Sequence, residues 1–128
     1  MTHVLVADDD KDIRLTIVDM LTHAGYHVQS AGDGRSVLSL LVSSPYHFVV
    51  VLDFMMPALD GNGVLHIVAK DRALRDQHRF ILITATANTI PADLNELIHQ
   101  MQSPLIRKPF DNDYLLAQVA KAAATLPA

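Results

Sequence analysis

Val49-Val50-Val51-Leu52-Asp53-Phe54-Met55-Met56-Pro57-Ala58-Leu59-Asp60-Gly61 decides the fold. Four apolar residues, three of them β-branched, run directly into a single carboxylate, Asp53. Pro57 and an Asp60-Gly61 turn signal follow. A continuous apolar run bounded by turn residues reads as a strand buried on both faces, the signature of a parallel sheet. A carboxylate at the end of such a strand lies where α/β sheets place their ligands.

Outward from this stretch the hydrophobic period switches repeatedly between strand and helix. His3 to Ala7 reads as a first strand and ends in Asp8, Asp9 and Asp10. Asp10 and Asp12 read as the N-cap and first-turn charge of a helix in which Ile13, Ile17, Met20, Leu21 and Ala24 form one stripe, stopped by Gly25. Tyr26 to Ser30 is a weaker strand, expected near a sheet edge. A second helix opens at Asp33-Gly34, carries Val37, Leu38, Leu40 and Leu41, and closes before Pro45. The central strand is His47 to Leu52. The third helix is predicted from Gly63 to Leu74, with Val64, Ile67 and Val68 inward and Lys70, Asp71 and Arg72 solvated.

Phe80 to Thr84 reads as the fourth strand. Ile90, Leu94, Leu97, Ile98 and Met101 mark a fourth helix with Pro91 in its first turn. Leu105 to Arg107 is a short fifth strand leading into Lys108-Pro109. Asp111 caps a last helix, with Phe110 and Leu115 as a hydrophobic staple and Leu115, Leu116, Val119, Ala120 and Ala123 facing the core. Five strands alternating with five helices imply a parallel sheet covered on both faces. The expected architecture is a flavodoxin-like (βα)5 three-layer sandwich with strand order 2-1-3-4-5.

Composition narrows the class. At 128 residues the chain is read as one domain, 1–128. No apolar run approaches the roughly 20 residues that cross a bilayer. The N-terminus has no basic n-region or cleavage site, and zero cysteines rule out a disulfide framework, so a cytoplasmic location is expected. A net charge of −4 without a basic tract argues against direct nucleic-acid contact.

The strand ends collect a chemically coherent set. Asp8 and Asp9 end the first strand, Asp53 the third, Thr84 the fourth and Lys108 the fifth, so all five should converge at one mouth. Three crowded carboxylates repel one another unless cations compensate, and one lysine is not enough. Hard oxygen ligands without His or Cys suit Mg²⁺, which shares its shell readily with phosphate. A carboxylate nucleophile, a metal, a hydroxyl and an ammonium together can cradle a phosphoryl group through in-line transfer. On this reading Asp53 is a phosphoryl acceptor.

The chain resembles a receiver domain of a bacterial two-component response regulator. The matching pieces are Val6-Ala7-Asp8-Asp9-Asp10, Leu52 to Gly61, Ile83-Thr84-Ala85 and Lys108-Pro109-Phe110, in the right order and each at a strand end. The resemblance implies that Asp53 takes a phosphoryl group from a phosphohistidine on a sensor histidine kinase or histidine phosphotransfer protein. Asp8 and Asp9 would hold Mg²⁺, helped by Asp53 and the backbone carbonyl of Met55, while Thr84 and Lys108 bind the phosphoryl oxygens. It further implies a cis Lys108-Pro109 bond and self-catalysed dephosphorylation, influenced by Met55 and Thr86. Such a protein is a switch and not a turnover enzyme. Its output goes to a downstream protein target or an attached output domain; since the sequence ends just after the last helix, a stand-alone receiver is the first expectation, an excised one the other.

One position departs from the family pattern. Receivers usually carry Tyr or Phe three residues before the lysine, where this chain has Leu105, and Gln102-Ser103-Pro104 replaces the usual Gly-Ala turn. An atypical readout is therefore expected, through movement around Thr86 to Thr89. Two alternatives stand beside the switch: a degenerate receiver that only docks, and a haloacid-dehalogenase-type phosphatase. The latter needs a second acid where Met55 stands. The histidines read as ordinary: His23 and His27 are separated by Gly25, and His66 and His99 are expected at the surface.

Overall fold

The computed structural model describes residues 1–85 and 90–127. A five-stranded sheet runs through its centre: β1 (His3–Ala7), β2 (His27–Ala31), β3 (Phe48–Asp53), β4 (Arg79–Ala85) and β5 (Leu105–Lys108). All pairings are parallel and the order is β2-β1-β3-β4-β5, so the less apolar β2 and the short β5 are the edges. Every residue of β3 is buried, as expected for a strand covered on both faces.

Helices α1 (Lys11–His23) and α6 (Asn112–Ala123) cover one face, burying Ile17, Leu21, Leu115 and Val119 against Val4, Val6, Val49, Val51, Ile81 and Ile83. The opposite face, through Leu5, Val50, Leu52, Phe80 and Leu82, packs against α2 (Gly34–Ser43), α3 (Gly61–Lys70), α4 (Arg72–Gln77) and α5 (Ala92–Met101). The alternation of the strand residues between these two cores is the period of two written in the sequence.

Capping residues set the helix starts. Asp10 accepts from the N–H groups of Asp12 and Ile13, and Asp111 from that of Asp113. Phe110 and Leu115 meet in one core as the staple requires. Gly25 adopts a φ of 99°, the left-handed turn that stops α1.

Several expectations need correction. The single helix expected over 63–74 is two helices. Asp71 ends α3 and caps α4, its carboxylate accepting from Leu74 N–H at 3.2 Å, a local bond that competes with helix continuation. Among the described residues six helices therefore stand where five were expected. Ile67 is exposed, and Leu65 takes the inward place; Ala24 and Ala120 are also exposed. Pro91 lies at the cap position before α5, not within its first turn.

Candidate functional site

The parallel register brings the strand ends together. Ala7 pairs with Leu52 and Asp53 with Ile83, so Asp8 follows directly beside Asp53, and Thr84 stands one residue beyond Asp53's partner. Thr84 pairs in turn with Arg107, and Ala85 with Lys108. Carboxylate oxygens of Asp8, Asp9 and Asp53 all lie within 4.8 Å of one another. Among the described residues this is the one group of three or more such side chains close enough to share a metal ion.

Lys108 reaches over from β5, placing Nζ 3.2 Å from Asp8 Oδ2 and 3.8 Å from Asp53 Oδ2. Asp8 and Asp53 are buried, whereas Asp9 is exposed. Met55 N–H donates to Asp53 Oδ1 at 3.4 Å, which brings the Met55 backbone to the mouth while its side chain is exposed. Thr84 is fully buried, and its hydroxyl donates to the Ala85 carbonyl at 3.5 Å. The Lys108-Pro109 bond is cis. Thr86 and the segment through Thr89 lie outside the described residues.

Burial, then the negative charge of Asp8, push the Asp53 carboxyl up to about 7; Lys108 and the Met55 N–H pull the other way without prevailing. Asp53 is thus a buried acid whose ionised form is under-compensated by protein groups alone. Such a group is poised to receive a cation or to give up its charge to a covalent partner.

Three further residues build the site in ways the sequence does not show. Arg14 on α1 donates from Nη1 to the Asp8 carbonyl at 2.8 Å, fastening the β1 end to the helix that follows. Asp10 N–H donates to Asp8 Oδ1 at 3.0 Å, so the capping residue also orients a carboxylate of the site. Gly61, whose neighbour Asp60 caps α3, lies against the Asp53 backbone: an added Cβ would stand 2.6 Å from the Asp53 carbonyl oxygen. The spacing of Arg14 from Asp8 carries no signal without the fold. The Asp-Gly pair is visible, but only as a turn.

The histidines divide. His99 is exposed, as expected, and His23 Nδ1 bonds the Asp19 carbonyl within its own helix. His66 is half-buried, not a simple surface residue, with Nε2 3.1 Å from Asp93 Oδ2 on α5.

With the geometry in hand, comparison with known proteins is decisive at the level of class. The family model for the response regulator receiver domain matches residues 4–120, and the chain belongs to that family. It is 37% identical over 83 residues, 64% of this chain and 63% of its relative, to a probable chemotaxis protein CheY of Rhizobium etli. It is 32% identical over 117 residues to the response regulator RR06 of Streptococcus pneumoniae, covering 91% of this chain and 51% of that protein. The chain therefore spans about half to two-thirds of the length of these relatives. Among solved structures, the receiver domain of a Francisella response regulator superposes with a TM-score of 0.81 at 32% identity, covering 97% of this chain and 98% of the other. A CheY-like receiver domain protein from Methanospirillum hungatei does so with a TM-score of 0.81 at 29% identity, over 96% and 94%. Membership of this family is consistent with a role in two-component signalling. Among the described residues, no helix is long and apolar enough to cross a membrane.

Proposed function

We propose that Asp53 accepts a phosphoryl group from a phosphohistidine of a sensor histidine kinase or a histidine phosphotransfer protein. The observation that carries this reading is the contact of a buried, cation-seeking Asp53 with Asp8 and with the Lys108 ammonium. An Asp53 carboxylate oxygen forms the new bond to phosphorus as the phosphorus–nitrogen bond breaks. The imidazole leaves with the bonding pair and takes a proton from solvent. Lys108 holds oxygens of the transferring group, with the Thr84 hydroxyl as a further donor, so the chain contributes position and charge.

The donor set fits Mg²⁺: three carboxylates within 4.8 Å, one of them exposed to solvent, and no nitrogen or sulfur ligand among them. Asp8, Asp9, Asp53 and the Met55 carbonyl would hold it. When bound, it supplies the positive charge that keeps Asp53 ionised and neutralises the transferring group. Attack of water at phosphorus later breaks the bond to the Asp53 oxygen, releasing inorganic phosphate and returning the carboxylate. The chain thus acts as a switch in the cytoplasm and catalyses only its own phosphorylation and dephosphorylation.

A groove of about 410 Å³ beside the mouth supports docking of the phosphodonor. Its walls include Ile13, Ile17 and Met20 of α1 with Pro109 and Phe110, a largely apolar strip that reaches Lys108. On the output side, Leu105 is half-buried beside the core with Leu97, Ile98 and Met101. It has no hydroxyl or ring to reorient, so the state of Asp53 would reach a downstream protein or an attached output domain through repacking of α5. The test is incubation with acetyl phosphate, or beryllofluoride, and Mg²⁺. One phosphoryl group per chain, lost in Asp53→Asn, supports the switch. Sustained hydrolysis of small phosphate esters would indicate a phosphatase, and no modification a docking module; either result removes this function.

A further inference from the structure

A second cavity opens at the opposite pole of the sheet, where the strands begin. Its volume is about 650 Å³, within the range of small-molecule sites. The walls come from α4, the start of β4, the end of α5 and the end of α6. Three cations line it, Arg75, Arg79 and Lys121, against one acid, Asp76. Asp76 is engaged by Arg72 at 3.7 Å and Arg75 at 3.9 Å. Among the described residues no carboxylate pairs with Arg79 or Lys121.

Cations near helix C-termini are favoured by the helix dipole alone, so charge would not by itself define a site. Two further features do. Arg79 is held rigidly: Nε donates to Thr125 Oγ1 at 3.0 Å, Nη2 to the Thr125 carbonyl at 2.6 Å, and Nη1 to the Asp76 and His78 carbonyls at 3.0 Å each. These partners carry no net charge, so the guanidinium keeps its own, and four of its five N–H groups are engaged.

The second feature is Gln102. It ends α5 in the left-handed conformation, φ 53° and ψ 38°, where glycine is the favoured residue. The chain thus keeps a side chain at a position whose backbone favours none, and that side chain lines the cavity. The following turn is locked around it. Ser103, buried, donates from Oγ to the Phe80 carbonyl at 2.6 Å, and its N–H donates to the Ile98 carbonyl at 2.9 Å. Pro104 O accepts from Leu82 N–H at 2.9 Å. This is the same Gln102-Ser103-Pro104 turn that departs from the family pattern.

We propose that this cavity binds a nucleoside phosphate. Arg79, Lys121 and Arg75 suit the phosphate. The carboxamides of Gln102 and Gln118 each offer a donor and an acceptor in one plane, the pattern that pairs with a base edge. Phe80, Met101 and Pro104 supply an apolar surface for the body of the ligand. The space is far larger than a bare phosphate fills. Because the walls join the end of α5 to the end of α6 past the start of β4, an occupant would brace these helices against each other, giving the domain an input separate from Asp53.

The test is calorimetric titration of the whole chain, in EDTA so that the carboxylate mouth holds no metal. The probes are the four ribonucleoside 5′-monophosphates, with adenosine and inorganic phosphate as controls. At least one nucleotide should bind saturably, one per chain, and more tightly than either control. Lys121→Glu should weaken that binding about tenfold or more, the value of one lost charge-assisted contact, and Gln102→Gly by about fivefold, the value of one neutral hydrogen bond. Gln102→Gly should do so with no fall in Tm, since glycine relieves the left-handed residue. The proposal is overturned if no nucleotide saturates at millimolar concentration, if inorganic phosphate binds as tightly, or if both variants bind like the wild type.

Discussion

Replacing Asp53 by Asn should stabilise the metal-free protein, and the gain should grow with pH. In the folded chain the Asp53 carboxyl is raised to about 7 from its ordinary 3.8, chiefly by burial and the Asp8 charge. Below pH 3.8 both folded and unfolded chains carry the proton, and the wild type loses nothing. As pH rises toward 7 the unfolded chain sheds the proton while the folded chain must keep it. Above 7 the folded chain ionises against its surroundings, and the penalty is complete. The shift corresponds to about 4 kcal/mol near pH 8 and about 2 kcal/mol near pH 5, taking Asn as a stand-in for the neutral acid. Urea denaturation in EDTA at both pH values reads this difference directly. Adding Mg²⁺ should shrink it at pH 8, because the cation binds the folded wild type and not the unfolded chain. If Asp53→Asn were no more stable than wild type at pH 8, or if its advantage grew on acidification, the account of an under-compensated carboxylate would fail.

The acid limb should report on His78. Burial, with His47 and Arg79 nearby, lowers this imidazole to about 4, and its Nδ1 accepts the Phe48 N–H at 3.0 Å. Stability is therefore full above 6.5 and lost as pH falls toward 4, by about 3 kcal/mol in total; in an Asp53→Asn background, His78→Gln should flatten that slope in a pH series of urea melts. Asp10→Ala removes the α1 cap and should cost about 1 kcal/mol, seen as a lower urea midpoint with an unchanged m-value. Gly34→Ala should cost about 2–3 kcal/mol by overpacking, because the new Cβ would stand 2.1 Å from the Leu59 carbonyl oxygen, a backbone atom; a urea midpoint equal to wild type would show that the loop before α3 yields more easily than its packing implies.

Much of the site was legible without coordinates. A buried strand shows itself by an unbroken apolar run, and a parallel sheet forces the residues after its strands to one side. Asp8, Asp53 and Lys108 could therefore be placed together from sequence. Asp10 and Asp111 were legible as caps, because the short acidic side chain bonds the first N–H groups of the helix it precedes. Asp71 was not, since the same residue inside an apolar period looks like an ordinary solvated position. Ile67 was misplaced for a different reason: the buried stripe of α3 is Gly61, Val64, Leu65 and Val68, the helical spacing of one face, and Ile67 falls outside it while Leu65 falls within.

Local pattern determined the succession of strands and helices along the chain, the strand-end carboxylates and the lysine, because these depend on periodicity and on interactions a few residues apart. Tertiary structure alone decided the raised affinity of Asp53 for its proton, the reach of Arg14 to the Asp8 carbonyl, and the gathering of Arg79, Gln102 and Lys121 around one cavity. Each of these is an interaction between groups distant in sequence, whose strength depends on separation and burial, and neither quantity exists until the chain has closed on itself.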